Sequence, residues 1–242
     1  VNEIYQGVSV DFRDQPEGFF IPDSCFNATT HCYRTSSDGQ SGSSTTGGGA
    51  CPNGTVAANA LSAGTVTIDK NGATAWTVPF DPSSPGYDFF NGSDPTNPPL
   101  FDPAADQISV SWSGDTVVAG SGSVYLAQQL ALSNPVTTAP NSNPNINANG
   151  QDLVLSWTPG RSSDRVFLQA YFAYGDLGDD DIFCQVADSD GTVTIPSSFL
   201  QGGRSFSTPQ MIITRSTLNT VQVSNATVSI GSQYTEDFSL TP

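Results

Sequence analysis

The sequence predicts an all-β protein: two immunoglobulin-like β-sandwich domains preceded by a disulfide-stapled, irregular N-terminal segment. Three observations carry that expectation. Residues 107–113 (Gln-Ile-Ser-Val-Ser-Trp-Ser) and 152–158 (Asp-Leu-Val-Leu-Ser-Trp-Thr) put a large apolar side chain at every second position: Ile108, Val110 and Trp112, then Leu153, Leu155 and Trp157. A period of two marks a strand with one buried and one wetted face, and a Trp closing such a run anchors the core between packed sheets. Further short alternating runs follow, about seven or eight in the last ~90 residues, which is the strand count of one such sandwich. Helical character is confined to one turn, Ser197–Leu200 after Pro196.

Taken in order, the chain opens with a strand, since Ile4, Val8, Val10 and Phe12 share a face with Gln6 between them. Residues 13–60 read as irregular, with Pro16, Pro22, Pro52, three cysteines and a Ser/Gly-rich run from Ser36 to Gly49 that suits a loop. Val66 and Ile68, then Trp76, Val78 and Phe80, flank Lys70-Asn71-Gly72, and Asn-Gly between alternating runs signals a hairpin. Residues 81–106 are proline-rich and read as a long loop with a short extended piece at Tyr87–Phe90. Ile108–Trp112, Thr116–Val118, Val124–Leu126 and Leu130–Leu132 complete the first sandwich. Prolines and asparagines then crowd together, as in a linker. The second sandwich draws on Leu153–Trp157, Val166–Tyr174, Ile182–Val186, Val193–Ile195, Met211–Thr214, Val221–Val223, Val228–Ile230 and Tyr234–Leu240. The expected units are therefore 1–60 (strand and Cys/Gly-rich segment), 61–133 (first sandwich), 134–150 (linker) and 151–242 (second sandwich).

Composition narrows the function. Acidic residues number 23 against 7 basic ones, for a net charge of −16, and Lys70 is the only lysine. Such a charge repels phosphate backbones and anionic membrane surfaces, which argues against nucleic-acid partners. No run of apolar residues is long enough for a membrane-spanning helix. Val1 in place of Met, without a signal peptide, reads as a mature chain after export. The even count of cysteines (Cys25, Cys32, Cys51 and Cys184) in a hydroxyl-rich chain suits disulfides and an oxidising, extracellular setting. Three connectivities are open. The preferred one closes a local loop, Cys25–Cys32, and leaves Cys51–Cys184 as the long bridge.

Three stretches resemble uncharacterised secreted β proteins of myxobacteria and related bacteria. They are Ser62-Ala-Gly-Thr-Val-Thr-Ile68, Asp152-Leu-Val-Leu-Ser-Trp-Thr158, and the Cys-bearing Ile182-Phe-Cys-Gln-Val followed by Gly191-Thr-Val-Thr-Ile-Pro. The likeness spans roughly residues 62–230, and its motifs are short and structural. It implies an exported bacterial protein and transfers no catalytic residue.

Catalysis finds little support in the residues. The single histidine, His31, would have to serve any Ser-His-Asp triad, yet it lies beside Cys32 and no Gly-x-Ser-x-Gly elbow exists. The expectation is a chain that is not an enzyme and carries no cofactor. Aspartates cluster at Asp176, Asp179, Asp180 and Asp181 and again at Asp188 and Asp190. Carboxylates of that kind hold calcium, although Asp-x-Asp-Gly is equally the composition of a solvated turn. The two clusters bracket one strand and so cannot form a single site.

Phe167, Tyr171, Phe172 and Tyr174 make a strand that is aromatic on both faces, and Tyr87, Phe89 and Phe90 gather in the proline-rich segment. Either group suits a platform for a glycan, and the strand equally suits a face covered by the other domain or another subunit. The sharpest expectation concerns Ile4, Val8, Val10 and Phe12. A leading strand set apart from its sandwich can complete a neighbour's sheet, and repeated strand donation builds a filament. The expected role is thus a structural subunit of an extracellular bacterial filament or surface layer that self-associates into a polymer. The alternative is a secreted carbohydrate-binding or adhesion module.

Overall fold

The computed structural model describes residues 4–13, 29–37, 61–70, 72–80, 87–91, 107–134, 145–147, 151–173, 179–200, 210–224 and 226–241. They are nearly all β, with fifteen strands, one 3-10 turn (Asp188–Asp190) and the single helical turn foreseen at Ser197–Leu200. The largest sheet has eight strands. Its path runs β2 (Cys32–Ser37), β12 (Asp179–Ala187), β11 (Arg165–Ala173), β14 (Gln210–Val223), β15 (Ala226–Thr241), β1 (Ile4–Arg13) and β5 (Tyr87–Asn91). The eighth, β9 (Asn145–Asn147), pairs in parallel with the end of β15. Two smaller sheets cover it. One is β4 (Ala73–Val78), β3 (Val66–Lys70), β6 (Gln107–Trp112) and β7 (Gly120–Tyr125); the other is β13 (Thr192–Ile195), β10 (Leu153–Trp157) and β8 (Leu132–Asn134).

Each small sheet closes its own core against the large one. The first core gathers Ile68, Ile108, Val110 and Trp112 from the four-stranded sheet with Val8, Val10, Phe12, Val228 and Ile230. The second gathers Leu155, Trp157, Val193 and Ile195 with Leu168, Ile182, Met211, Ile213, Tyr234 and Phe238. Both tryptophan strands alternate as expected, buried at every second residue.

The boundary expected at 134–150 does not separate these cores, because the first contains Val228 and Ile230 from β15. Each of β14 and β15 is one continuous strand where the sequence suggests two pieces. They pair with each other from Gln210↔Ser239 to Val223↔Ala226 and pass from one core to the other. The expected linker itself contributes β9.

The opening strand is not detached. β1 pairs with β15 over ten residues, from Ile4↔Glu236 to Arg13↔Thr227, and with β5 over five, from Gln6↔Asn91 to Val10↔Tyr87. Val8, Val10 and Phe12 are buried, and the Phe12 ring meets Tyr87 and Trp112 edge-on at 5.2 and 5.3 Å. Without β1 the first core would lack one wall, which is the physical reason the strand folds back onto it.

Two other departures have local causes. β7 replaces the expected pieces at Thr116–Val118 and Val124–Leu126, and its glycines face large partners. A Cβ on Gly120 would lie 2.7 Å from the Trp112 ring, and one on Gly122 would lie 2.5 Å from Ile230. β2 falls within the region read as irregular and is pinned beside β12 by a disulfide between Cys32 and Cys184. The preferred pairing of Cys25 with Cys32 is therefore corrected: directly opposed partners on neighbouring strands bring Cys32 and Cys184 within bonding reach. Cys25 and Cys51 lie outside the described residues.

The bridge spans 152 residues. Closing so long a loop restricts the unfolded chain by about 5 kcal/mol in the chain-entropy picture. Non-reducing peptide mapping is expected to return a Cys32–Cys184 linked peptide. Replacing both with alanine is expected to lower unfolding free energy in urea by about 2–5 kcal/mol.

Candidate functional site

Between the two apolar cores the interior turns polar. The connection from β7 to β8 crosses the large sheet there, and its main chain needs partners. The Ser232 hydroxyl on β15 accepts the Ala127 N–H at 2.9 Å. Arg215 on β14, 2% exposed, donates from Nη1 to the Gln129 carbonyl at 2.9 Å and from Nη2 to the Thr158 carbonyl at 2.8 Å.

The counter-charge is Asp188, fully buried in the 3-10 turn after β12. Its Oδ1 accepts from Arg215 Nη2 at 2.9 Å and from Trp157 Nε1 at 2.8 Å, while Oδ2 accepts the Gly160 N–H. A buried carboxylate left without such partners would be strongly destabilising. Gly191 closes the turn in a left-handed conformation with φ 64°, donating to the Asp188 carbonyl at 3.1 Å, and its own carbonyl accepts the Trp157 N–H at 2.9 Å. Gly160 also belongs here by size, since a side chain would run into the Asp188 carboxylate.

A second carboxylate, Asp164, stands close by. It accepts the Thr217 hydroxyl at 2.8 Å, and Arg161 approaches it at 4.0 Å. Burial pushes its carboxyl above the usual range, against the Thr217 hydrogen bond and the Arg161 charge. Arg161 also donates to the Leu126 carbonyl at 2.9 Å and lies over the Tyr125 ring, 4.5 Å from its centre. Two arginines thus hold the crossing segment 125–129 against the second lobe.

Chemically, this cluster is a clamp. Asp164 and Asp188 are 1% and 0% exposed, so neither can receive a substrate or a solvated ion. Asp188, expected in a solvated turn or as a calcium ligand, instead neutralises Arg215. Asp190 is exposed on the same turn. Asp179, Asp180 and Asp181 lie within β12, seven to nine residues earlier along an extended strand, about 23–30 Å away. Asp176 is outside the described residues, as is Tyr174. Among the described residues no group of three or more His, Cys, Asp or Glu is placed to hold a metal ion. His31 is exposed at the turn before β2, with a left-handed φ of 53°, and its carbonyl accepts the Gln185 N–H at 3.0 Å.

Glu236 was not singled out by sequence. It is 3% exposed on the core-facing side of β15, between Tyr234 and Phe238 and opposite Ile4 and Ile213. Burial, helped by the charge of Asp237, raises its carboxyl to about 7, and burial likewise raises the Tyr234 hydroxyl. The signal available in sequence was a lone glutamate in phase with Tyr234 and Phe238.

Two predictions follow from these placements. Asp188→Asn leaves the Arg215 charge buried without a counter-ion, and is expected to cost about 3–5 kcal/mol in urea unfolding; Asp188→Leu combined with Arg215→Met recovers part of that loss. Glu236 keeps its proton in the fold to about pH 7 but loses it near 4.5 when unfolded. Its stabilisation is complete below about pH 4.5, falls between there and pH 7, and totals about 3 kcal/mol. Urea unfolding across that window is expected to show the decline, with Glu236→Gln flattening most of it and Asp164 contributing in the same direction.

Comparisons with known proteins find no matching family model, no matching curated protein and no matching solved structure.

Proposed function

We propose that the chain is a non-enzymatic structural subunit of an extracellular filament or surface layer of an exporting bacterium, assembled by exchange of β1 between neighbouring molecules. The observation that carries this reading is the position of β1. It lies inside the large sheet between β15 and β5, and among the described residues β5 joins that sheet only through β1. Removing β1 leaves a groove whose shape is already that of a strand, with pockets for Val8, Val10 and Phe12. Each such side chain contributes about 1.5–3 kcal/mol when buried. A neighbour's β1 satisfies the same main-chain groups as the chain's own, so exchange preserves the contacts and changes only the connection between molecules.

Other features fit a subunit exposed outside a cell. The Cys32–Cys184 bridge belongs to an oxidising compartment. No helix among the described residues is long and apolar enough to cross a membrane. The net charge of −16 keeps free subunits apart until specific pairing overcomes repulsion.

Deletion of residues 2–12 tests the reading. The shortened chain is expected to capture a synthetic peptide of residues 2–13 in trans and to form no long polymers. Intact protein, incubated at high concentration near its unfolding temperature, is expected to convert from monomer to chains visible by negative stain. A shortened chain that folds but ignores the peptide, together with intact protein that stays monomeric by light scattering, would overturn it.

A further inference from the structure

We infer that the outer face of the large sheet holds a binding site for a single neutral sugar ring, in the hollow above Gly231. The hollow is about 260 Å³ in volume. That lies just under the ~300–1,000 Å³ of sites for drug-sized ligands, which suits one ring. It crosses four strands. Ser9 on β1 stands opposite Gly231 on β15, which stands opposite Leu218 on β14; one row along, Gln233 faces Ser216; the next row sets Thr214 against Phe167 on β11. Alternation along each strand brings these side chains to the face opposite the cores.

The lining selects the ligand class. Among the described residues no charged side chain contributes to it. A cation would want carboxylates there, and an anion is repelled by the net charge of −16. What remains is a mixture of hydroxyls and an amide with two apolar surfaces, Phe167 and Leu218. A pyranose offers the matching pattern, with C–H groups for an aromatic or aliphatic wall and hydroxyls for Ser9 and Gln233. The hydroxyl of Thr214 is already engaged with Thr235 at 3.0 Å. Ser216 Oγ is sealed within the wall, out of a ligand's reach, and the hydroxyls of Thr217 and Ser232 are engaged with Asp164 and the Ala127 N–H, which leaves Ser9 and Gln233 as the polar groups facing a ligand.

Gly231 leaves room for the Ser9 side chain at the floor of the hollow. A Cβ built there would lie 2.8 Å from Ser9 Oγ, so a larger residue would displace the Ser9 side chain that lines the hollow. The glycine does not adopt a left-handed conformation, and backbone geometry does not demand it. Room beside Ser9 is the remaining reason for its small size.

The site stands whether or not β1 is exchanged, so its test uses intact monomer. Glucose, galactose, mannose and N-acetylglucosamine are titrated separately into isotope-labelled protein and followed by NMR. At least one is expected to produce saturable shifts at Ser9, Phe167, Ser216 and Gln233, with a Kd in the millimolar range. Phe167→Ala and Gly231→Ala are each expected to weaken binding tenfold or more. Gln233→Ala, at a partly exposed position, supplies a variant that keeps the fold and still loses affinity. If none of the four sugars shifts these residues, or the shifts persist unchanged in Gln233→Ala and Gly231→Ala, the site does not exist.

Discussion

Arg215 carries a full positive charge where water does not reach, and the architecture around it is arranged to make that tolerable. Its guanidinium meets the Asp188 carboxylate and the carbonyls of Thr158, Gln128 and Gln129. One side chain therefore joins the shared hairpin of β14 and β15, the turn after β12, the end of β10 and the connection between the smaller sheets. An apolar residue could fill the volume, but it could not satisfy the carbonyls of the crossing chain. The polar seam exists because a segment of irregular backbone must pass between two cores, and buried main-chain groups need partners.

What the sequence makes legible follows from this division. Trp112 and Trp157 sit in the cores as their period implies, and β3 pairs with β4, Lys70 opposite Ala73, as the hairpin signal between them implies. β14 and β15 were only half legible. Along Ser216, Thr217, Asn219 and Thr220, and along Ser229, Gly231, Ser232 and Gln233, polar residues occupy both faces because the strands are crossing the seam there. The apolar period fades at the point where two cores share one strand, so a single strand looks like two. That is also why a domain boundary was expected where none divides the cores.

The residues of the seam and of the hollow are obscured for related reasons. Asp188-Ser-Asp-Gly has the composition of a surface turn, and nothing local announces that its first carboxylate points inward at an arginine 27 residues away. β7 was hidden because Gly120 and Gly122 trade their own apolar signal for the bulk of Trp112 and Ile230. The hollow above Gly231 draws ordinary positions from four strands, one each from β1 and β11 and the rest from β14 and β15. Only the register of the sheet brings them together, and register is a property of pairing rather than of any one segment.

The continuity of β14 and β15 has a mechanical consequence. Separate sandwiches joined by a flexible tether can swing against one another, and a polymer of them would be limp within every subunit. Here main-chain ladders run unbroken from one lobe into the other, and two guanidinium groups bolt the crossing segment in place. The two cores therefore share a hydrogen-bonded spine rather than a tether. Compliance in any assembly of these chains would reside at the contacts between molecules, leaving bending stiffness to be set by how neighbours meet.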